Sequence, residues 1–116
     1  MLTLICGLPR AGKTTYSQRY DRVVHLDDYE SNRYQRCIDA IRQGGDIVVE
    51  GLYTRAKQRK KLREAYQGEA ICIWVDTPLE VRRQRKGYSP RNSEYFEPPT
   101  YSEGWDEIIV LDGGAG

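Results

Sequence analysis

Phenylalanine, methionine and histidine occur once each in this chain of 116 residues, tryptophan twice and cysteine three times. One histidine and three scattered cysteines (Cys6, Cys37, Cys72) give no zinc-ligand spacing, and their odd number excludes a fully paired disulfide framework. Their apolar neighbours mark them as buried free thiols of a reducing compartment. No apolar run approaches a membrane span and no signal-peptide pattern precedes the first strand, so a cytoplasmic chain is expected. Repeats and low-complexity tracts are absent too. The length suits one domain, over 1–116, with a small core.

Charge of one sign is missing only overall, because the formal net charge is +1. Between Arg55 and Arg91 stand eleven bases and four acids, whereas Asn92–Gly116 holds six acids and no base. A basic middle suits a polyanionic partner or several phosphates. For Arg55, Lys57, Arg59, Lys60, Lys61 and Arg63 a solvated helix face is the equally simple reading.

What is present is a strand running into a glycine loop. Thr3-Leu4-Ile5-Cys6 leads into Gly7-Leu8-Pro9-Arg10-Ala11-Gly12-Lys13-Thr14-Thr15, which meets the Walker A pattern G-x-x-x-x-G-K-[ST] at Gly7, Gly12, Lys13 and Thr14. The glycines let the chain turn and let main-chain N–H groups approach a phosphate. Lys13 then reaches the β- and γ-phosphates, the Thr14 hydroxyl is placed for Mg²⁺, Thr15 serves at the α-phosphate, and Arg10 is either solvated or catalytic. ATP and Mg²⁺ are the expected cofactors.

Five apolar β-like runs, Leu2–Cys6, Arg22–Leu26, Asp46–Glu50, Ala70–Val75 and Glu107–Leu111, alternate with helical stretches. The helices are expected over Gly12–Tyr20, Ser31–Gln43, Thr54–Gln67 with Thr54 as cap, and from Pro78 to near Gly87. Tyr88–Gly104 reads as an extended connection. This order predicts an α/β fold, a three-layer αβα sandwich around a five-stranded parallel sheet of the P-loop NTPase or small-kinase type.

In such sheets ligands sit beyond the carboxyl ends of the strands, and here those ends carry acids: Asp27-Asp28, Glu50 and Asp76. Asp27 is the first choice for accepting the proton of an attacking hydroxyl, with Asp28 as the alternative. Glu50 either holds Mg²⁺ through water or pairs structurally with Lys13. His25, at a strand end, takes a structural rather than a catalytic role. Arg82, Arg85 and Lys86 share a helix face and read as a lid that closes over the transferring phosphate, against the plainer reading of a surface helix.

Together these residues resemble the kinase module of the polynucleotide 5′-hydroxyl kinases. The similarity lies in the loop Gly7–Thr14, in Leu26-Asp27-Asp28-Tyr29, in Tyr34-Gln35-Arg36-Cys37 and, most distinctively, in Phe96-Glu97-Pro98-Pro99-Thr100-Tyr101-Ser102-Glu103-Gly104-Trp105. It implies ATP-dependent phosphorylation of a nucleic-acid 5′ end, with Asp27 as general base and the Arg82–Lys86 cluster as phosphate clamp. The chain departs from that family where Glu50-Gly51-Leu52-Tyr53 replaces Asp-x-Thr-Asn. It departs again where Glu30 stands in place of a phosphate-gripping arginine, with Arg33 or Arg36 one turn on. A kinase for a small metabolite or nucleoside is the alternative, set back here because such enzymes usually carry a longer acceptor-binding insert. A nucleotide-binding regulatory protein is the other, and Asp27 argues against it.

Replacing the base tests this reading of the acids. Asp27→Asn is expected to lower kcat by about 10²–10⁴ with ATP affinity nearly intact. A large loss in Asp28→Asn alone, measured in the same steady-state assay, would move the base by one residue.

Overall fold

The computed structural model describes residues 1–26, 32–89 and 94–113. Five strands, β1 (Leu2–Cys6), β2 (Val23–His25), β3 (Ile47–Gly51), β4 (Ala70–Asp76) and β5 (Glu107–Asp112), form one sheet in the order β2-β3-β1-β4-β5. Every pairing is parallel. The helices are α1 (Lys13–Ser17), α2 (Arg33–Arg42), α3 (Ala56–Glu64) and α4 (Leu79–Arg83), with a 3₁₀ turn at Tyr101–Glu103. The expected α/β architecture is the observed one. Among the described residues, no helix is long and apolar enough to cross a membrane.

Parallel strands need a covering layer on each face, and the sequence supplies two. Leu2, Leu4, Cys6, Ile47, Val49, Ala70 and Cys72 point to the larger core, where Cys37, Ile38 and Ile41 of α2 and Leu62 of α3 meet them. Ile5, Val48, Ile73 and Val75 face the other side, with Ala11 and the partly buried Tyr16 and Tyr20. All three cysteines are buried and none is in a disulfide.

Helix limits differ from expectation in ways that local bonding explains. The segment after the glycine loop keeps helical geometry only to Ser17, and Tyr20 N–H then bonds the Ser17 carbonyl in a turn. Arg55, not Thr54, caps α3, its backbone N–H donating to Gln58 Oε1 at 3.3 Å. After α4 the chain continues through turns to Gly87, whose φ of +86° takes it out of the helix.

The connection before β5 is irregular but firmly held. Arg59 of α3 is 0% exposed, and its guanidinium donates to Glu103 Oε1 at 2.8 Å and Oε2 at 3.2 Å, to Tyr53 O at 2.7 Å and to Glu97 O at 2.6 Å. Glu103 also accepts from Trp105 Nε1 at 3.0 Å and from Thr100 N–H at 3.0 Å. Phe96 stacks on Trp74 of β4 with 5.1 Å between ring centroids. Burial works against the Glu103 charge, but Arg59, Trp105 and Thr100 outweigh it and hold its carboxyl below the ordinary 4.5.

A depressed carboxyl stabilises the fold above its ordinary value and loses that contribution as pH falls through the folded one. Glu103→Gln is therefore expected to cost about 3–5 kcal/mol at pH 7, because it strands a buried guanidinium. The deficit should shrink as pH falls below the ordinary 4.5 and through the lower folded value. Urea unfolding at pH 7 and across that range checks this, and a pH-independent deficit would contradict the buried ion pair.

Candidate active site

The strand ends bring the glycine loop, the β3 end, the β4 end and the β5 end to one edge of the sheet. Gly7 leaves β1 so close to β4 that a Cβ there would lie 2.7 Å from the Val75 carbonyl oxygen. Only glycine fits that approach. The loop then turns through left-handed conformations at Arg10 (φ 63°) and Gly12 (φ 106°).

Four successive loop carbonyls each accept a hydrogen bond from a side chain. Leu8 O accepts from Lys13 Nζ at 2.8 Å, Pro9 O from Arg82 Nη1 at 3.4 Å, Arg10 O from Arg85 Nη1 at 2.7 Å and Ala11 O from Thr77 Oγ1 at 2.6 Å. In a trans peptide each carbonyl points away from the next residue's N–H, so anchoring the carbonyls of Pro9 and Ala11 sets the N–H groups of Arg10 and Gly12 on the opposite side. The first-turn N–H groups of α1 have no intrahelical acceptor either. Backbone donors gathered in this way make an anion-binding concavity.

Next to the loop lies a cleft of about 660 Å³, lined by Arg10–Tyr16 and Arg19 on one side and by Arg85, Lys86 and Leu111–Gly113 on the other. Of the expected phosphate-loop residues, Arg10, Ala11, Gly12, Lys13, Thr14 and Thr15 line it, while Gly7, Leu8 and Pro9 form the back of the loop. Lys13 is only 8% exposed and Thr14 and Thr15 are exposed.

Two expected roles change with the geometry. Arg82 does not share the cleft face with Arg85 and Lys86: it is 2% exposed, donates to Thr77 O at 3.0 Å, and is ion-paired with Glu94. Glu50 is buried and pairs with His25 Nδ1 at 2.7 Å rather than with Lys13, which donates to Leu8 O instead. The direct register of His25 on Glu50 across β2 and β3 makes that contact. Asp27, Asp28 and Glu30 lie outside the described residues, as does Arg91.

Among the described residues, no three His, Cys, Asp or Glu side chains are grouped to hold a metal on their own. Thr14 lines the cleft, whereas Glu50 does not line it and is paired with His25.

The basic run on α3 is not one charged face. Arg59 is buried in the ion pair described above, and Arg63 is tied to Gly104 O at 2.9 Å, Tyr66 O at 3.0 Å and Gly68 O at 3.0 Å. Arg55 lies over the Tyr95 ring, Lys60 sits 4.0 Å from Glu64, and Lys61 lines a groove between α2 and α3. Periodicity alone does not separate Arg59 from its neighbours. The signal that could have done so is the acidic Glu103, far along the chain and flanked by aromatics.

No known protein-family profile matches the chain. Solved structures do. The chain is similar to a sugar kinase from Janibacter sp. HTCC2649, with a TM-score of 0.73 at 17% identity, covering 97% of this chain and 84% of that one. It is also similar to a gluconokinase from Sinorhizobium meliloti 1021, with a TM-score of 0.69 at 16% identity, covering 95% and 81%. The chain shares the parallel α/β fold of these two structures. At this identity the likeness concerns the fold alone, and the resemblance to polynucleotide 5′-hydroxyl kinases gains no support from either match. The segment that carried it most distinctively, Phe96–Trp105, is the one pinned by Arg59 and stacked on Trp74. Phe96 and Trp105 pack into the larger core of this chain.

Proposed function

We propose that this chain is an ATP-dependent phosphotransferase that moves the γ-phosphate of ATP to a hydroxyl of a small polar metabolite. The observation that carries the ATP half is the loop itself, with four carbonyls each held by a side-chain donor and Lys13 and Thr14 at the cleft. In this reading the loop N–H groups bind the phosphates and Lys13 exchanges its bond to Leu8 O for the β- and γ-phosphate oxygens. Thr14 would hold Mg²⁺, with Glu50 reaching it through water, and the ion would supply neutralisation of phosphate charge. Asp27 takes the proton of the acceptor hydroxyl. His25 fixes the Glu50 carboxylate, and Lys86 at the cleft edge offers a mobile cation.

The acceptor half rests on what the basic residues are doing. Arg59 and Arg63 are committed to the fold, so the helix that suggested a polynucleotide track has lost two of its six cations to structure. Size is no obstacle to a small-metabolite kinase, since the chain covers 84% of a protein described as a sugar kinase. A sugar or sugar acid is the class of acceptor this supports, and a cytoplasmic location would supply the ATP.

An acceptor panel decides the matter. With Mg²⁺ and labelled ATP, transfer to sugars or sugar acids is expected, with a 5′-hydroxyl oligonucleotide and nucleosides near background. Preferential labelling of the oligonucleotide would restore the polynucleotide reading. Tight ATP binding with no transfer to any member would point to the regulatory protein.

A further inference from the structure

We infer that Thr77 is a positioning residue for nucleotide binding, the end of a chain of side-chain bonds that builds the phosphate cradle before any phosphate arrives. The inference rests on the phosphotransferase reading and deepens it.

Thr77 follows the last residue of β4, is 6% exposed, and does not line the cleft. It sits behind the loop, on the Ala11 carbonyl, rather than in the cleft lining. Its hydroxyl donates to Ala11 O at 2.6 Å, and in the same residue the carbonyl accepts from Arg82 Nε at 3.0 Å. Arg82 reaches on to Pro9 O at 3.4 Å and is itself held by Glu94. Arg85 closes the set from the cleft side, donating to Arg10 O at 2.7 Å and to Gly113 O at 2.9 Å. The site is tightly shaped around this hydroxyl, because a Cβ on Gly113 would lie 1.9 Å from it and 2.6 Å from Ala11 O.

The Ala11 carbonyl and the Gly12 N–H belong to one peptide plane. Losing the Thr77 donor leaves a buried carbonyl to be satisfied, and the plane can satisfy it by rotating toward the cleft. That rotation would turn Gly12 N–H away from the phosphates and present them with an oxygen. The effect falls on the bound ground state, so it should appear in nucleotide affinity more than in turnover. A residue acting only on the transferring phosphate would show the reverse.

The test uses Thr77→Val, which keeps shape and removes the donor, and Thr77→Ser, which keeps the donor. MgADP and inorganic pyrophosphate are titrated by calorimetry, and KM and kcat are taken in the acceptor assay. Thr77→Val is expected to raise Kd for both probes by about five- to thirty-fold, with kcat changed much less and Thr77→Ser close to the unmodified protein. Unchanged Kd in Thr77→Val, or no recovery in Thr77→Ser, would overturn the inference while leaving the phosphotransferase reading standing. Should Thr77→Val fail to fold, Thr77→Ala, which also removes the donor to Ala11 O, replaces it in the same titrations. The same rise in Kd is expected, and an unchanged Kd would overturn the inference. An unmodified protein that binds neither probe would overturn the functional reading itself.

Discussion

A loop that must offer its N–H groups to an anion cannot spend them in a helix or a sheet, and its carbonyls then need donors from elsewhere. Here the donors are Lys13, Thr77, Arg82 and Arg85, one for each carbonyl from Leu8 to Ala11. Much of the local architecture follows from that demand. The end of β4 must stand beside the loop for Thr77 to reach Ala11. The helix α4 must lie across it for Arg82 and Arg85 to reach Pro9 and Arg10. The end of β5 is drawn in through the Arg85 bond to Gly113.

A second buried cation does comparable work on the opposite face. Arg59 has four of its possible hydrogen bonds placed on Glu103, Tyr53 O and Glu97 O, which satisfies a charge that would otherwise be costly to bury. It joins the β3–α3 connection to the irregular stretch before β5. Covering the sheet with that stretch, through Phe96 on Trp74, lets a short chain close its larger core without another helix. Two arginines of this protein are thus internal fasteners, which a count of surface charge would miss.

The strands, their parallel sense and the glycine loop after β1 were legible because each is a local pattern: a continuous apolar run, or glycines and a lysine at fixed spacing. Gly7 and Gly12 could be assigned conformational duties from the pattern alone. What stayed hidden depends on pairs distant in sequence. The Arg59–Glu103 pair spans 44 residues, the Thr77–Ala11 bond 66 and the Arg85–Arg10 bond 75. An arginine on a helix carries the same local signal whether it is solvated, clamps a phosphate or anchors a carbonyl. So the basic run on α3 and the cluster after Pro78 each looked more uniform than they are. The acids were a mixed case: Glu50 stands at its strand end as expected, but its partner His25 emerges only from the β2–β3 register.

The central claim is that the loop is a phosphate cradle already shaped by the side-chain bonds to its carbonyls. Two-dimensional amide NMR during titration with MgADP tests it most directly. The account predicts that the resonances of Arg10, Gly12, Lys13 and Thr14 shift most, with the α2 and α3 amides nearly unmoved. Shifts centred on the groove between α2 and α3, or loop amides that stay in place at saturating nucleotide, would contradict it.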